Sequence, residues 1–209
     1  MVREARDKNR WRKIVKIRLW MPVALQVLLL IGLAWFTNTR FPGFISSSNV
    51  TQILILALPL IVATFAQIHA ILVGYLDLSV GAMISIGVVV ASFLIGPNAT
   101  TSQIILGAGV ILLCGVGLGL FNAGLIRGVK IPSIIATLAT MSILDGVALT
   151  MRPSAQGIIN PTMVGWLKTG IGPIPVAFVV IVVGAVLADL WLHASGSGLQ
   201  VRAVGFDER

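Results

Sequence analysis

A succession of long apolar runs constrains this chain more than any other feature. Six can be drawn: Leu19–Thr37, Val50–Gly74, Leu78–Ile95, Gln103–Ile126, Ser133–Met151 and Ile174–His193. Each approaches or exceeds the roughly 18–20 residues that cross a bilayer core as a helix. Hydrocarbon offers no partner to backbone N–H and C=O groups, so runs of this kind must satisfy them internally, as helices. The expected fold class is all-α: a polytopic transmembrane helix bundle of about six spans. Only 11% of the 209 residues are charged, against about 25% in an ordinary soluble domain.

The formal charge of +8 is concentrated rather than spread. Residues 1–18 hold eight basic side chains against Glu4 and Asp7. A basic cluster directly before an apolar span acts as a retention signal on the cytosolic side, and no nucleic-acid partner is expected from it. The first apolar run is longer than the ~7–15 residues of a signal-peptide core, and "FTNTRF" after it has no small-residue cleavage pattern. It reads as a retained first span, with Trp20 and Trp35 near its two ends, where indole rings favour the membrane interface. Threading the spans from a cytosolic N-terminus puts Arg127, Lys130, Arg202 and Arg209 inside, and Arg40, Arg152 and Lys168 outside. The domain plan is a basic cytosolic tail at 1–18, a transmembrane domain at 19–194 and a cytosolic segment at 195–209. The Pro- and Gly-rich stretch after span five, with Trp166, reads as an external loop with a short interfacial part.

Motifs for covalent chemistry are scarce. The sequence has no Gly-Lys-Ser/Thr loop for phosphate and no HExxH or Cys-rich metal pattern near His69 or His193. No cofactor and no metal are expected. Cys114 is the single cysteine. Asp189 and His193, four apart on one helical face, have two readings: a proton relay, or a marker of the end of span six. Gly115 and Gly119 form a small-xxx-small pair that suits close helix packing within one subunit or across a dimer.

Two acids stand apart. Asp77 is the only formally charged residue from Phe41 to Ile126. One reading makes it, with Ser79, a cap on span three; the other makes both polar contacts for a solute, with the Tyr75 ring beside them. Asp145 lies well inside span five. A charged carboxylate near a helix centre costs roughly 2.5–3.5 kcal/mol on insertion scales. It is expected to face the bundle interior, a wet cavity or a subunit interface, or to sit at a wet helix end.

The stretches "GYLDLSVGAMISIGVVVA", "GLGLFNAGLIRGVKIPSIIATLATMSIL" and "GLQVRAVGFDER", in this order, resemble the permease subunits of bacterial sugar-importing ABC transporters of the ribose, xylose and galactose branch. The similarity runs from about Asn49 to Arg209, and the chain resembles an N-terminal portion of such a permease. This chain has Gly74-Tyr75-Leu76-Asp77 where the family usually has Gly-Gly-Ile-Asp, and Asn122-Ala123 where it has Asn-Gly. Asp145 stands where a basic residue is common. The resemblance implies a multi-pass protein of the bacterial inner membrane that carries out no covalent chemistry. It implies a cytosolic ATPase, a periplasmic sugar-binding protein and a second permease subunit as partners, besides the bilayer. It further implies a substrate pathway at Tyr75, Asp77, Ser79, Asn122 and Asp145, and an ATPase-coupling segment at Arg202, Gly205, Asp207 and Glu208.

Overall fold

A computed structural model describes residues 2–154 and 156–207, so Glu208 lies outside the described residues. The chain divides into two compact units, Met1–Val50 and Thr51–Arg209. In chain order the helices are α1 (Val2–Arg40), α2 (Ser47–Leu72), α3 (Val80–Leu94), α4 (Thr101–Ala123), continued by a π-helical turn at Gly124–Gly128, α5 (Ser133–Met151), α6 (Pro161–Lys168), α7 (Val176–Ala194) and α8 (Gly196–Asp207). A two-residue antiparallel hairpin, β1 (Gly170–Ile171) and β2 (Ile174–Pro175), joins α6 to α7.

Among the described residues, five helical stretches are long and apolar enough to cross a membrane: Trp20–Arg40, Ser47–Leu72, Thr101–Gly128, Ser133–Met151 and Val176–Ala194. The sixth apolar helix, α3, has 15 residues and at 1.5 Å per residue spans only about 22 Å. It begins two residues later than the apolar pattern suggests, because Asp77 draws Ser79 into a turn. Large aliphatic side chains face outward all round, Leu56, Leu112 and Leu113 among them, each more than 70% exposed. Water would not tolerate such a surface, whereas lipid is as apolar as these side chains. The protein is a multi-pass membrane helix bundle.

In the first unit, the span within α1 makes no buried core of its own. Its end is closed by local bonds: the Ile45 N–H donates to Asn38 Oδ1 (3.2 Å), and Asn49 Nδ2 donates to the Phe44 carbonyl (2.6 Å).

The core of the second unit is the α3–α4–α5 trio, in which α3 packs on both neighbours. Ala82, Ile86 and Ala91 of α3 and Ala136 and Ala148 of α5 are buried there. Small residues let the backbones approach. Gly107 is the tightest point, since a Cβ there would fall 2.6 Å from Ile95 Cγ1. Gly115 and Gly119 do not serve that purpose within the chain. A Cβ on Gly119 would meet nothing within 4 Å, and one on Gly115 only the tip of Met83.

Around this trio, α7 packs on α6, α8 and the hairpin, while between its ends α2 packs closely on no other helix among the described residues of this unit. Near each end α2 is tied down. Thr51 Oγ1 donates to the Pro173 carbonyl in the hairpin (3.0 Å), and Leu72 lies against Gly205 of α8. At the Thr51 end, a clasp links the last turn of α3 and the α3–α4 connection to the α5–α6 connection. Arg152 donates from Nε to Ser92 Oγ (3.1 Å) and lies over the Phe93 ring at 4.1 Å. Asn160 is buried; its N–H donates to Ile95 O (3.0 Å), its Nδ2 to Ala99 O (3.0 Å), and its Oδ1 caps α6 at Thr162 and Met163.

The α3–α4 seat yields a stability prediction. Gly107→Leu should lower stability by about 1–3 kcal/mol through overpacking, whereas Gly109→Leu, with open space around it, should stay within about 0.5 kcal/mol of the parent. Thermal unfolding of the purified protein in detergent measures both. Equal effects would contradict the tight seat at Gly107.

Candidate functional site

Residues Ser133, Thr137 and Thr140 lie at i, i+4 and i+7, on one face of α5. That face binds the loop between α2 and α3 and the middle of the trio. The Leu76 N–H donates to Ser133 Oγ (3.4 Å), and Thr137 Oγ1 donates to the Leu76 carbonyl (3.3 Å) as well as to Ser133 O (2.8 Å). Thr140 Oγ1 lies 2.7 Å from both Asn122 Oδ1 and Ala136 O, so its single proton is shared between two acceptors. Asn122 Nδ2 donates to Ser79 Oγ (3.0 Å), and Ser79 Oγ donates to Asp77 Oδ1 (2.6 Å).

These bonds form one chain of donors from Thr140 through Asn122 and Ser79 to Asp77. Ser79, Asn122, Thr137 and Thr140 are all at least 95% buried. A buried polar group left without a partner costs about 1–3 kcal/mol. Here every hydrogen-bonding side chain in the series has one, and the polarity runs one way, towards a carboxylate.

Asp77 Oδ1 also accepts the Ser79 N–H (2.9 Å). This is a turn closed by a carboxylate onto the backbone two residues later, placed just ahead of α3. Ser79 is the N-cap residue of α3, yet its own side chain makes no capping bond. Among the described residues nothing bonds the second carboxylate oxygen, Oδ2. Asp77, Ser79 and Asn122 line a cavity of about 490 Å³ between α2 and the α3–α4 pair, within the roughly 300–1,000 Å³ typical of small-molecule sites. Its remaining wall is apolar: Leu58, Pro59 and Val62 from α2, Met83 from α3, Leu118 from α4 and Ile181 from α7. Gly115 and Gly119 face this space, which explains why no helix fills the positions above them.

Three of the five residues implicated from the sequence therefore meet in one place. Tyr75 does not line the cavity; it is half-buried, with the Arg127 guanidinium 5.9 Å from its ring centroid. Asp145 is half-buried on α5, away from the cavity lining, and makes no hydrogen bond or ion pair among the described residues. His193 and Asp189 do pair, at 3.3 Å, but both are more than half exposed and His193 Nδ1 also meets the Asp189 carbonyl (2.9 Å). His69 Nδ1 lies 2.8 Å from the Phe65 carbonyl, and its ring packs edge-on against Phe65. No group of three His, Cys, Asp or Glu converges among the described residues. Of the residues for which the resemblance implies ATPase coupling, Arg202 and Gly205 lie within α8 and Asp207 ends it. Sequence reasoning missed Ser133, Thr137 and Thr140, although their spacing within an apolar run is a helical polar stripe.

The hydrogen-bond chain makes stability non-additive. Ser79→Ala and Asn122→Leu should each destabilise by about 1–3 kcal/mol, and the double variant should differ from their sum by about 0.5–3 kcal/mol. Unfolding of the four proteins in one detergent gives the cycle, and strict additivity would mean that the two side chains do not act as a unit.

No family model and no solved structure matches the chain. Among curated proteins, the inner membrane ABC transporter permease protein YjfF of Escherichia coli is 30% identical over 80% of this chain and 51% of its own length. The fructose import permease protein FruG of Bifidobacterium longum is 30% identical over 86% of this chain and 54% of its own length. The ribose import permease protein RbsC of Escherichia coli is 26% identical over 90% and 60%. The chain spans about half the length of the first two of these relatives. Along most of its own length it is similar to the permease subunits of sugar-importing ABC transporters.

Proposed function

We propose that this chain is a permease subunit of an ABC importer and that the cavity between α2 and α3–α4 is part of the route of a monosaccharide. The observation that carries the reading is the buried donor chain ending on Asp77 at the cavity wall. A sugar presents hydroxyl donors and acceptors along its edges and apolar C–H groups on its faces. Asp77 Oδ2 accepts a hydroxyl, the second N–H of Asn122 donates to one, and the aliphatic wall from α2 lies against a C–H face. Names of the relatives support the class, since they include fructose and ribose import permeases.

The sequence carries no phosphate-binding loop, so ATP hydrolysis is assigned to a separate cytosolic subunit. A periplasmic binding protein delivers the sugar, and a second permease subunit completes the pathway in the inner membrane. The N-terminus is placed in the cytosol by the positive-inside bias. α8 then lies on the cytosolic side, where Arg202, Gly205, Asp207 and Glu208 belong to the surface that meets the ATPase. Tyr75 and Asp145 are retained only as flanking residues of the route.

Two experiments test this reading. In cells expressing the chain with its partner ATPase and binding protein, Asp77→Asn and Asp77→Leu should both reduce uptake of labelled sugar about tenfold or more, the cost of losing a hydrogen bond to a charged group. Asp77→Asn should still assemble in the membrane, because an amide oxygen can accept the Ser79 N–H. Parental uptake by Asp77→Asn would remove the carboxylate from the route. For orientation, single cysteines at Ser154 and Ser197, in a Cys114→Ser background, should label from the periplasm and the cytosol respectively. Labelling of both from one side contradicts the threading.

A further inference from the structure

We infer that Gly205 is a positioning residue for the cavity: its missing side chain lets α8 seat on the end of α2 and so sets the place of the loop that carries Asp77. The inference deepens the transport reading and rests on it for its functional meaning. Its structural content stands on contacts in the second unit alone.

The contact is backbone on backbone. α2 ends in a Schellman motif, with the Tyr75 N–H bonded to Ala70 O (2.9 Å), the Gly74 N–H bonded to Ile71 O (3.0 Å) and Gly74 at φ +85°. The next carbonyl along is that of Leu72. A Cβ built on Gly205 would fall inside van der Waals contact of that oxygen, and tight against Leu72 C and Val73 Cα as well. None of these atoms belongs to a side chain that can rotate away, so the close approach needs glycine. The contact is mutual, because a Cβ on Gly74 would sit 4.0 Å from the Gly205 carbonyl oxygen.

Both sides of the contact are stiff. α8 turns off α7 at a tight corner, where Ser195 Oγ accepts the Gly198 N–H (2.9 Å) and a Cβ on Gly198 would overlap the Leu192 backbone. Arg202 Nη2 reaches back to the His193 carbonyl (3.5 Å). On the other side, only three residues separate Val73 from Asp77. Leu76 within them is pinned to Ser133 and Thr137 of α5, and Asp77 is bonded to Ser79. A shift of α8 against α2 therefore either moves the Asp77 loop or loosens these bonds. The cavity lies where the helices are free to respond, since between its ends α2 packs closely on no other helix among the described residues of this unit and carries Pro59 in the cavity wall. That proline removes a backbone donor from the middle of α2, which makes it the natural place to bend.

The test uses thiol labelling in native membrane vesicles. In a Cys114→Ser background, Leu76→Cys reports on the loop, and Asn98→Cys, exposed at the opposite end of the trio, is the reference. Gly205→Ala should change the rate of N-ethylmaleimide reaction at position 76 at least threefold and leave position 98 unchanged. An unchanged rate at 76 overturns the inference. If Gly205→Ala fails to assemble, Arg202→Ala frees α8 from the His193 carbonyl and adds no atom at Leu72. The same threefold change is expected, and its absence is equally decisive.

Sugar uptake is measured in parallel with the partner subunits present. Gly205→Ala should reduce it at least fivefold, whereas Val204→Ala, its neighbour on α8, should not. A labelling shift with unaltered uptake overturns the functional role of the contact. If the parent chain and partners move no sugar at all while labelling shifts, the transport reading falls and the positional role stands.

Discussion

Lipid does not distinguish one aliphatic helix surface from another, so apolar contact alone gives a membrane bundle little reason to prefer one register. In this protein that preference comes from the hydrogen-bond chain running from Thr140 through Asn122 and Ser79 to Asp77. It joins α5, α4 and the entry to α3, and all three positions must coincide for it to close. Sliding any one helix by a turn would leave several buried polar groups unpaired at about 1–3 kcal/mol each. Thr137 and Ser133 extend the same logic to the Leu76 backbone. The close seat at Gly107 adds shape to this polar register.

The organisation of the second unit follows from which helices the hydrogen-bond series joins. α3, α4 and α5 share the polar bonds and pack on one another, whereas α2 contributes no member to the series and stands off across the cavity. Its wall is aliphatic, with Pro59 at the centre. The unit therefore combines a trio with a specified register and a helix held near its ends, at Thr51 and at Leu72. A space between two such parts can change shape without opening either hydrogen-bonded core. The sugar route proposed above would need that property.

Much of this is legible in the residues and some is not, for physical reasons. Apolar length alone identifies the spans, because a bilayer imposes a length and not a pattern. The conspicuous polar positions Asp77, Ser79 and Asn122 converge, since an isolated polar group in an apolar run must find a partner. Threonine is less conspicuous. Its hydroxyl is satisfied by its own helix at i−4, as Thr137 and Thr140 also do with Ser133 and Ala136, so nothing local marks it as part of a network. Glycine is ambiguous for the same kind of reason. Gly107 seats a helix, Gly119 faces open space and Gly205 lies on a distant carbonyl, and only long-range geometry separates these uses. Tyr75 and Asp145 have chemistry suited to a sugar route but occupy positions off the cavity wall.

Asp77 has one oxygen for helix entry and another free for the proposed solute contact. Oδ1 accepts both the N–H and the hydroxyl of Ser79, which closes the turn ahead of α3 and ends the donor chain. These bonds fix the plane of the carboxylate and leave Oδ2 at the cavity wall. A carboxylate held by one oxygen gives up less side-chain freedom when the other accepts a ligand hydroxyl than a free side chain would, which lowers the ordering cost of binding. Structural anchoring and the proposed ligand contact are thus compatible within one arrangement. The donor chain behind Ser79 supports it, because Asn122 and Thr140 hold the Ser79 hydroxyl in the orientation that donates to Asp77.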